Sequence, residues 1–311
     1  MSEQIVIDVK NLTKQYKKQV VVNQASFQIK KGSICGLIGP NGAGKTTIMK
    51  MLGGLVIPTA GEMSIFQSKT LQEQAKARER MSFMIETPYA KQELTAQENL
   101  EKQRLQKGIP NRERIGEVLE LVGLSEVGNK KIKEFSLGMK QRFGIANALM
   151  GKPEIMVMDE PINGLDPEGI VEIRELLMKV NREEEITVLI SSHILSELSL
   201  MCDDYLFIHH GEIIKHLTRQ ELMDECRNYL HIHTDRDELA LAVLQEQLKV
   251  TEYEVKEDGS IDLFEYVEDV ATVSRTLFEN GVIPLELRTG GESLEEYYMS
   301  MIGGTEHVEC N

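Results

Sequence analysis

Cysteine and long apolar runs are both scarce in this chain. The four cysteines, Cys35, Cys202, Cys226 and Cys310, form no Cys-x-x-Cys pair, which argues against a zinc site and against a disulfide framework. No stretch reaches the roughly 18 apolar residues of a membrane-spanning helix, and the first ten residues lack the apolar core of a signal peptide. We therefore expect a cytoplasmic protein that does not cross a membrane by itself.

Positive charge is scarce in the last third of the chain. Residues 1–216 contain 28 basic and 28 acidic side chains, whereas residues 217–311 contain 7 basic and 22 acidic ones, so the second segment accounts for the net charge of −15. This change predicts a domain boundary near Lys215, and the length of the chain also suggests two domains. An acidic segment repels phosphate backbones, which argues against a nucleic-acid partner. It is equally compatible with a solvated surface that aids solubility.

The most informative stretch reads G-P-N-G-A-G-K-T-T and lies between an apolar run, residues 34–38, and a helical run, residues 46–52. This is the context of a phosphate-binding loop. Glycines can take positive φ, which lets backbone N–H groups close around a phosphate while the next helix points its positive end at the anion. Lys45 is expected to reach the β- and γ-phosphates, and the Thr46 hydroxyl to ligate Mg²⁺. The predicted nucleotide contacts are Gly39, Pro40, Asn41, Gly42, Ala43, Gly44, Lys45, Thr46 and Thr47.

Predicted strands surround this loop. Residues 5–9 and 20–22 read as strands joined by a polar connection, Gln15 to Lys18, so the chain opens with antiparallel strand material. Helical patterns dominate from residue 71 to about residue 150, and Thr95-x-x-Glu98 predicts a capping box within them.

The α/β alternation then resumes, and two buried strands end in polar side chains. The strand at 155–158 ends in Asp159 and Glu160, and the strand at 186–190 ends in Ser191-Ser192-His193. A carboxylate at a strand end is suited to hold Mg²⁺ opposite a phosphate loop. Glu160 then lies where a carboxylate can polarise a water that attacks the γ-phosphate.

These motifs resemble, in kind and in order, those of the ATP-binding subunit of an ABC transporter over residues 5–216. The loop matches the Walker A motif, Ile155 to Glu160 the Walker B motif, and Asn163 to Asp166 the D-loop. The resemblance implies an α/β fold, namely a P-loop NTPase of the ABC ATPase type with an N-terminal antiparallel β part and a helical subdomain at about 87–150. It implies ATP and Mg²⁺ as cofactors, and it assigns further residues: Asp159 as a metal ligand, Glu160 and His193 as catalytic residues, Tyr16 as the aromatic that stacks on adenine, and Asp166 as a nucleotide contact. Asp166 also fits a plain helix N-cap.

The signature motif of that family is represented by Phe135-Ser-Leu-Gly-Met-Lys-Gln-Arg142. Ser136 precedes a predicted helix, where its hydroxyl and the first backbone N–H groups suit an anion. The resemblance implies that Ser136 and Gly138 contact the γ-phosphate bound by a second copy of the chain, in a head-to-tail dimer. Leu137 departs from the family's glycine, which removes backbone freedom at that contact.

Glu86 is a second departure, because the family usually has glutamine after the strand at 82–85. An ionised carboxylate only accepts hydrogen bonds, but it is a better ligand for Mg²⁺ than an amide, so Glu86 is predicted to contact nucleotide and metal. Glutamate here, together with the Ser-Leu-Gly-Met-Lys signature, is similar to the subgroup that exports bacitracin or confers immunity to lantibiotics. We therefore expect an ATPase subunit that powers export of a peptide antibiotic through a separate membrane permease. The permease is expected to dock beside Glu86 and residues 87–106, which places the chain on the inner face of the cell membrane.

The acidic segment 217–311 is predicted to be an accessory α+β domain. Its elements follow the order β-α-β-β-α-β, which suggests a small ferredoxin-like sandwich, and Ser293 is predicted to cap a last helix. No residue pattern in it indicates chemistry, so it reads as a structural or dimerising module.

Two other functions compete with transport. A soluble ABC-type ATPase of translation or DNA would use the same cassette without a transporter, although such proteins usually carry two cassettes or long coiled coils. A regulatory subunit that binds ATP without turnover is a further alternative, and Glu160 and His193 count against it. A GTPase is disfavoured because Asn129-Lys130-Lys131 lacks an aspartate to recognise guanine.

Overall fold

The computed structural model describes residues 4–86, 90–291 and 294–306. The chain divides into two compact units, Met1–Arg219 and Gln220–Asn311. The predicted boundary at 216 lies close to this division. No helix in the described part of the chain is long and apolar enough to span a bilayer.

The first unit contains nine strands and seven helices among its described residues, joined in places by short 3₁₀ turns. The strands are β1 (Ile5–Tyr16), β2 (Gln19–Lys30), β3 (Ile34–Ile38), β4 (Ala60–Ile65), β5 (Met81–Met84), β6 (Ile155–Asp159), β7 (Thr187–Ser192), β8 (Asp204–His209) and β9 (Glu212–Thr218). The helices are α1 (Lys45–Leu52), α2 (Leu71–Ala77), α3 (Ala96–Gln106), α4 (Arg114–Leu121), α5 (Leu137–Leu149), α6 (Pro167–Glu184) and α7 (Leu195–Ser199).

A six-stranded sheet with the order β5-β6-β7-β3-β8-β9 forms the centre of this unit. Its first five strands are parallel, and β9 pairs antiparallel with β8. Every residue of β3, β6 and β7 is buried, which explains why these strands read as unbroken apolar runs. Their carboxyl ends meet at one edge, as shown by the pairing of Asp159 with Ser191, and open α/β sheets bind ligands at such edges.

The antiparallel strands predicted at the start of the chain form a three-stranded sheet of order β2-β1-β4. The prediction of a connection from Gln15 to Lys18 is wrong in its first half. Strand β1 continues through Tyr16, which pairs with Gln19, so that only Lys17 and Lys18 form the turn. Polar residues on the exposed face of a strand do not interrupt its backbone pairing, and the sequence pattern alone did not reveal this.

The helical block consists of α3, α4 and α5, which pack on one another. Its predicted start, residues 87–89, lies outside the described residues. The capping box of α3 is present, because the Thr95 hydroxyl accepts from the Glu98 N–H and the Glu98 carboxylate accepts from the Thr95 N–H. Ser136 caps α5, and Asp166 caps α6.

The second unit has helices on a four-stranded antiparallel sheet of order β11-β12-β10-β13. This is the predicted β-α-β-β-α-β arrangement, and buried side chains such as Leu230, Ile232, Leu244 and Leu277 fill its own core. The predicted cap Ser293 lies outside the described residues. The elements are α8 (Arg219–Glu225), β10 (Tyr229–Thr234), α9 (Asp237–Leu248), β11 (Tyr253–Val255), β12 (Ile261–Leu263), α10 (Val270–Glu279), β13 (Pro284–Gly290) and α11 (Leu294–Glu306).

Candidate active site

The glycine-rich loop turns from β3 into α1 with two kinds of backbone constraint. Gly42 and Gly44 have φ of +85° and +108°, a conformation that glycine adopts without steric cost. Gly39 is not among the residues with positive φ. A Cβ at Gly39 would lie 2.3 Å from the carbonyl oxygen of Ile208 on β8, so this position requires glycine because the two backbones pack closely.

Lys45 begins α1 and extends back over the loop. Its ammonium group donates to the carbonyl oxygens of Gly39 at 2.6 Å and Pro40 at 3.2 Å, and it lies 3.0 Å from Oε1 of Glu160. Only 6% of its side chain is exposed. The sequence predicted that Lys45 faces the loop, but its ion pair with Glu160 becomes visible only when β6 is placed beside α1.

Thr46 and Asp159 meet directly. The Thr46 hydroxyl donates to Oδ2 of Asp159 at 2.7 Å, and the Ser191 hydroxyl donates to Oδ1 at 2.6 Å. The same Ser191 oxygen accepts from the Glu160 N–H at 2.9 Å. Sequence reasoning named Ser191 only as part of a strand end. Its role in holding the Asp159 carboxylate and the Glu160 backbone N–H follows from the pairing of β6 with β7.

The donor set at this position suits Mg²⁺. A hydroxyl and a carboxylate oxygen in contact supply two hard ligands, and Mg²⁺ commonly takes one or two protein ligands and completes its octahedron with phosphate and water. Within the described ranges no group of three or more His, Cys, Asp and Glu side chains could hold a metal ion by itself. The fit therefore rests on Thr46 and Asp159 together with a bound nucleotide.

The Glu160 carboxylate contacts both a lysine and a histidine. Its Oε2 lies 2.9 Å from Nδ1 of His193, while Oε1 faces Lys45. Glu160 takes φ of +49° immediately after β6, an uncommon backbone conformation for a residue with a side chain. This turn directs the carboxylate over the loop, where it can accept a proton or orient a water.

A cavity of about 180 Å³ opens between these groups, and its lining residues are Val21, Pro40, Asn41, Gly42, Gly44, Lys45, Thr46, Thr47 and Glu160. Val21 on β2 was not predicted, since an apolar strand residue gives no sign of lining a site. A larger cavity of about 620 Å³ lies elsewhere in the first unit and includes none of the predicted site residues in its lining. The smaller one is the candidate because it contains the charged and phosphate-binding groups.

Glu86 lies two residues after the end of β5, and its side chain pairs with a lysine of α1. Its Oε1 is 2.6 Å from the Lys50 ammonium, and this hydrogen bond raises the pKa of Lys50. Glu86 has φ of +65°, and 66% of its side chain is exposed. Its described contacts do not include Thr46 or Asp159, so the predicted metal contact of Glu86 stays a prediction.

The described contacts of Ser136, Gly138 and Asp166, which were also predicted to bind nucleotide, do not include the phosphate loop. Ser136 accepts from the Met139 N–H at 3.2 Å, and Asp166 accepts from the Gly169 N–H at 3.1 Å. A Cβ at Gly138 would lie 3.8 Å from the Leu165 side chain, and one at Gly164 would lie 3.3 Å from Leu137. The signature segment and the D-loop segment are thus adjacent to each other.

Tyr16 lies at the tip of the β1–β2 hairpin with 46% of its surface exposed. The Lys14 ammonium lies 4.8 Å from its ring centre. An exposed ring beside a cation is available for stacking on a base, and the stacking role itself stays a prediction.

Two of the described cysteines, Cys35 and Cys202, are poorly suited to nucleophilic chemistry. Cys35 and Cys202 are buried, and burial raises the pKa of both thiols, which keeps them protonated. Protonated thiols are poor nucleophiles.

A protein-family model described as ABC transporter matches residues 22–163. The bacitracin transport ATP-binding protein BcrA of Bacillus licheniformis is 38% identical over 96% of this chain and 98% of its own length. The lantibiotic transport ATP-binding protein SrtF of Streptococcus pyogenes is 41% identical over 67% of this chain and 89% of its own length.

The fold is also similar to solved structures. A dimeric ATP-binding cassette in a post-hydrolysis state, bound to ADP and phosphate, is 29% identical with a TM-score of 0.62. The similarity covers 68% of this chain and 98% of that cassette. The part covered corresponds in length to the first unit.

Proposed function

This chain belongs to the ATP-binding proteins of ABC transporters, and we propose that it powers the export of a peptide antibiotic of the bacitracin or lantibiotic type through a separate membrane subunit. The observation that carries the substrate class is the similarity to the bacitracin transport protein over 96% of the chain, which includes the acidic second unit. Glu86 and the Ser-Leu-Gly-Met-Lys signature support the same subgroup.

The site geometry supports a division of labour in ATP hydrolysis. Lys45 and the loop N–H groups bind the phosphates, and this requires the Lys45 ammonium to turn from Glu160 toward the nucleotide. Thr46 and Asp159 would hold Mg²⁺, which neutralises charge on the phosphate oxygens when it is bound. Glu160, released from Lys45, then orients the attacking water and takes its proton.

His193 is placed to serve two partners. Its Nδ1 lies 2.9 Å from Glu160, so the imidazole fixes the direction of that carboxylate. Its other ring nitrogen is available to the γ-phosphate. We propose that His193 acts as a switch: it contacts the γ-phosphate in the ATP-bound site and loses this contact in the product-bound site.

A second copy of the chain completes the site in this proposal. Ser136 and Gly138 carry the N-terminus of α5, which favours an anion, and their described contacts do not include the loop of their own chain. A head-to-tail dimer brings them to the partner's nucleotide, so nucleotide binding stabilises the dimer. The similarity to a cassette solved as a dimer supports a dimeric state. Such a dimer would act on the inner face of the membrane.

Deletion of the gene, followed by a susceptibility panel, tests the proposed function. The panel contains bacitracin, lantibiotics and unrelated drugs, and the deletion strain is complemented with the wild type or with Glu160→Gln. Glutamine keeps the shape but is not a base, so we expect ATPase activity to fall at least about 100-fold and resistance not to return. Glu120→Gln, at an exposed position of α4, is the matched control and should retain both properties.

Each part of the proposal has its own contrary outcome. An unchanged susceptibility profile after deletion would exclude the peptide antibiotics tested. ATP hydrolysis at the wild-type rate by Glu160→Gln would exclude Glu160 as the base.

A further inference from the structure

Three segments that are remote in the sequence meet at the backbone carbonyl of Val21. Val21 lies on β2, in the same hairpin as Tyr16, and it lines the cavity of the phosphate loop. Gly44 belongs to that loop, and Gly211 lies in the turn between β8 and β9. A Cβ at Gly44 would lie 2.8 Å from the Val21 carbonyl oxygen, and one at Gly211 would lie 2.6 Å from it. The carbonyl is therefore held between two glycines, neither of which leaves room for a side chain.

Hydrogen bonds join the same three segments. The Gly211 N–H donates to the carbonyl oxygen of Ala43 in the phosphate loop at 3.0 Å, and the Gly211 carbonyl oxygen accepts from the Asn23 N–H of β2 at 2.9 Å. The Asn23 side-chain amide donates to Oε1 of Glu212, the first residue of β9, at 2.5 Å. The two backbone polar groups of Gly211 thus face different partners, one in the loop and one in the hairpin.

The β8–β9 turn therefore connects two sheets at the nucleotide site. The hairpin of β1 and β2 belongs to the three-stranded sheet, whereas β3, which leads into the phosphate loop, belongs to the six-stranded sheet together with β8 and β9. The end of β8 also supports the loop from another side, because the Ile208 carbonyl packs against Gly39. Through these contacts the turn sets the separation between the hairpin and the loop.

A nucleotide bound as proposed spans this separation. Its base would stack on Tyr16 of the hairpin, and its phosphates would lie in the loop. A ligand that is held at two points gains from both only when their separation is right, and displacements on the order of 1 Å weaken such a fit strongly. The backbone contacts of Gly211 are thus placed to control binding of the whole nucleotide, although Gly211 does not line the cavity.

We propose that Gly211 is a positioning residue, which fixes the distance between the base-binding hairpin and the phosphate loop and so determines the affinity for ATP rather than the rate of its hydrolysis. Gly211 acts through Val21, Ala43 and Asn23 and does not touch the nucleotide. This inference rests on the proposed function, because it assumes that ATP is bound between Tyr16 and the loop.

The variant Gly211→Ala tests the inference in the full-length chain. The added methyl group would force Val21 away from the turn, so we expect the KM for ATP to rise at least about tenfold. The value of kcat should change by less than about twofold, as for a loss of binding that the ground state and the transition state share. Steady-state ATPase measurements separate the two constants.

Inorganic tripolyphosphate with Mg²⁺ is the second probe, because it occupies the phosphate loop without a base. Titration calorimetry should show that Gly211→Ala loses affinity for ATP but binds tripolyphosphate within about twofold of the wild type, since a one-point ligand does not depend on the separation. A general disturbance of the fold would instead weaken both ligands.

Gly32→Ala is the matched control. Gly32 has φ of +76°, close to the +85° of Gly211, so alanine meets the same kind of backbone strain at both positions. A Cβ at Gly32 would meet no described atom within 4 Å. We therefore expect Gly32→Ala to lower stability while its KM for ATP stays at the wild-type value.

Asn23→Ala tests the same connection without adding an atom, and it decides the question if Gly211→Ala does not fold. The variant loses the bond to Glu212, and we expect affinity for ATP to fall about two- to tenfold while binding of tripolyphosphate is retained.

Three results would overturn the inference. Wild-type affinity for ATP in Asn23→Ala and in folded Gly211→Ala would show that the turn does not control binding. Equal losses for ATP and tripolyphosphate would show that the turn supports the loop alone and does not set the separation. If the wild-type chain neither binds nor hydrolyses ATP, the proposed function fails together with the inference.

Discussion

At the scale of single residues, the active site is organised by two carboxylates, each of which contacts two side chains. Glu160 faces both Lys45 and His193, and Asp159 accepts from both Thr46 and Ser191. Residue types and motif spacing predicted that Lys45, Thr46, Asp159, Glu160 and His193 belong to one site. They could not predict which atoms pair, because a contact between residues more than a hundred positions apart depends on the order of strands in the sheet.

Gly39 and Gly116 provide a matched pair for testing backbone packing. Gly39→Ala places a methyl group 2.3 Å from the Ile208 carbonyl oxygen, and such overpacking costs about 1–3 kcal/mol. We expect Gly39→Ala to lower the unfolding midpoint of the first unit and to weaken ATP binding. Thermal unfolding and nucleotide titration of the purified chain measure the two effects.

Gly116 in the middle of α4 is the control, since a Cβ there meets nothing within 4 Å. Alanine is favoured over glycine in a helix by about 0.5–1 kcal/mol, so Gly116→Ala should raise the midpoint slightly. If Gly39→Ala and Gly116→Ala changed the unfolding midpoint in the same direction and by the same amount, the close packing of β3 against β8 would be contradicted.

At the scale of elements, α3 depends on its first turn. Only Ala96, Asn99 and Leu100 of its eleven residues are buried, so little apolar packing supports it. The capping box of Thr95 and Glu98 satisfies backbone groups that otherwise lack partners. This motif was recognisable in the sequence, because it is set by residues only three positions apart.

Loss of the cap should therefore destabilise the helical block measurably. Thr95→Ala removes the acceptor for the Glu98 N–H and should cost about 1 kcal/mol, whereas Thr95→Ser keeps the hydroxyl and should be nearly neutral. Urea unfolding followed by circular dichroism gives the comparison. A loss as large in the serine variant would show that the hydroxyl is not the stabilising group.

The same cap predicts a pH dependence. Acceptance of the Thr95 N–H lowers the pKa of Glu98 below the usual glutamate value of about 4.3. A lowered pKa in the folded state means that the carboxylate stabilises the fold above the unfolded pKa, and that this contribution disappears as the pH falls through the folded value. The stability difference between wild type and Glu98→Ala should accordingly shrink in acid.

At the scale of the whole molecule, the two units have separate cores. Buried side chains of the first unit cluster around β3, α1 and the β1–β2 hairpin, and those of the second unit cluster between its sheet and helices. The change in charge along the sequence predicted this division near Lys215, and the contact pattern divides the chain after Arg219. The role of the second unit as an accessory domain stays a prediction.

A separate core predicts independent folding. Residues 220–311 expressed alone should show the circular dichroism of an α+β fold and a cooperative thermal transition, because Leu230, Ile232, Leu263 and Leu277 are fully buried within the unit. A fragment without a cooperative transition would show that the second unit requires the cassette. The cassette fragment 1–219 should retain ATP binding in the same comparison.

The sequence by itself determined the family, the phosphate loop, the helix caps and the β-α-β-β-α-β order. Each of these depends on the types and spacing of residues that are close together in the chain. It missed the full length of β1 and the elements β8, β9 and α7, whose patterns are short or interrupted by polar residues. Only the tertiary structure decided that Gly39 is constrained by Ile208, that Lys45 pairs with Glu160, and that Glu86 pairs with Lys50. Each of these depends on distances between segments remote in the chain, and these distances are fixed by the packing of strands and helices.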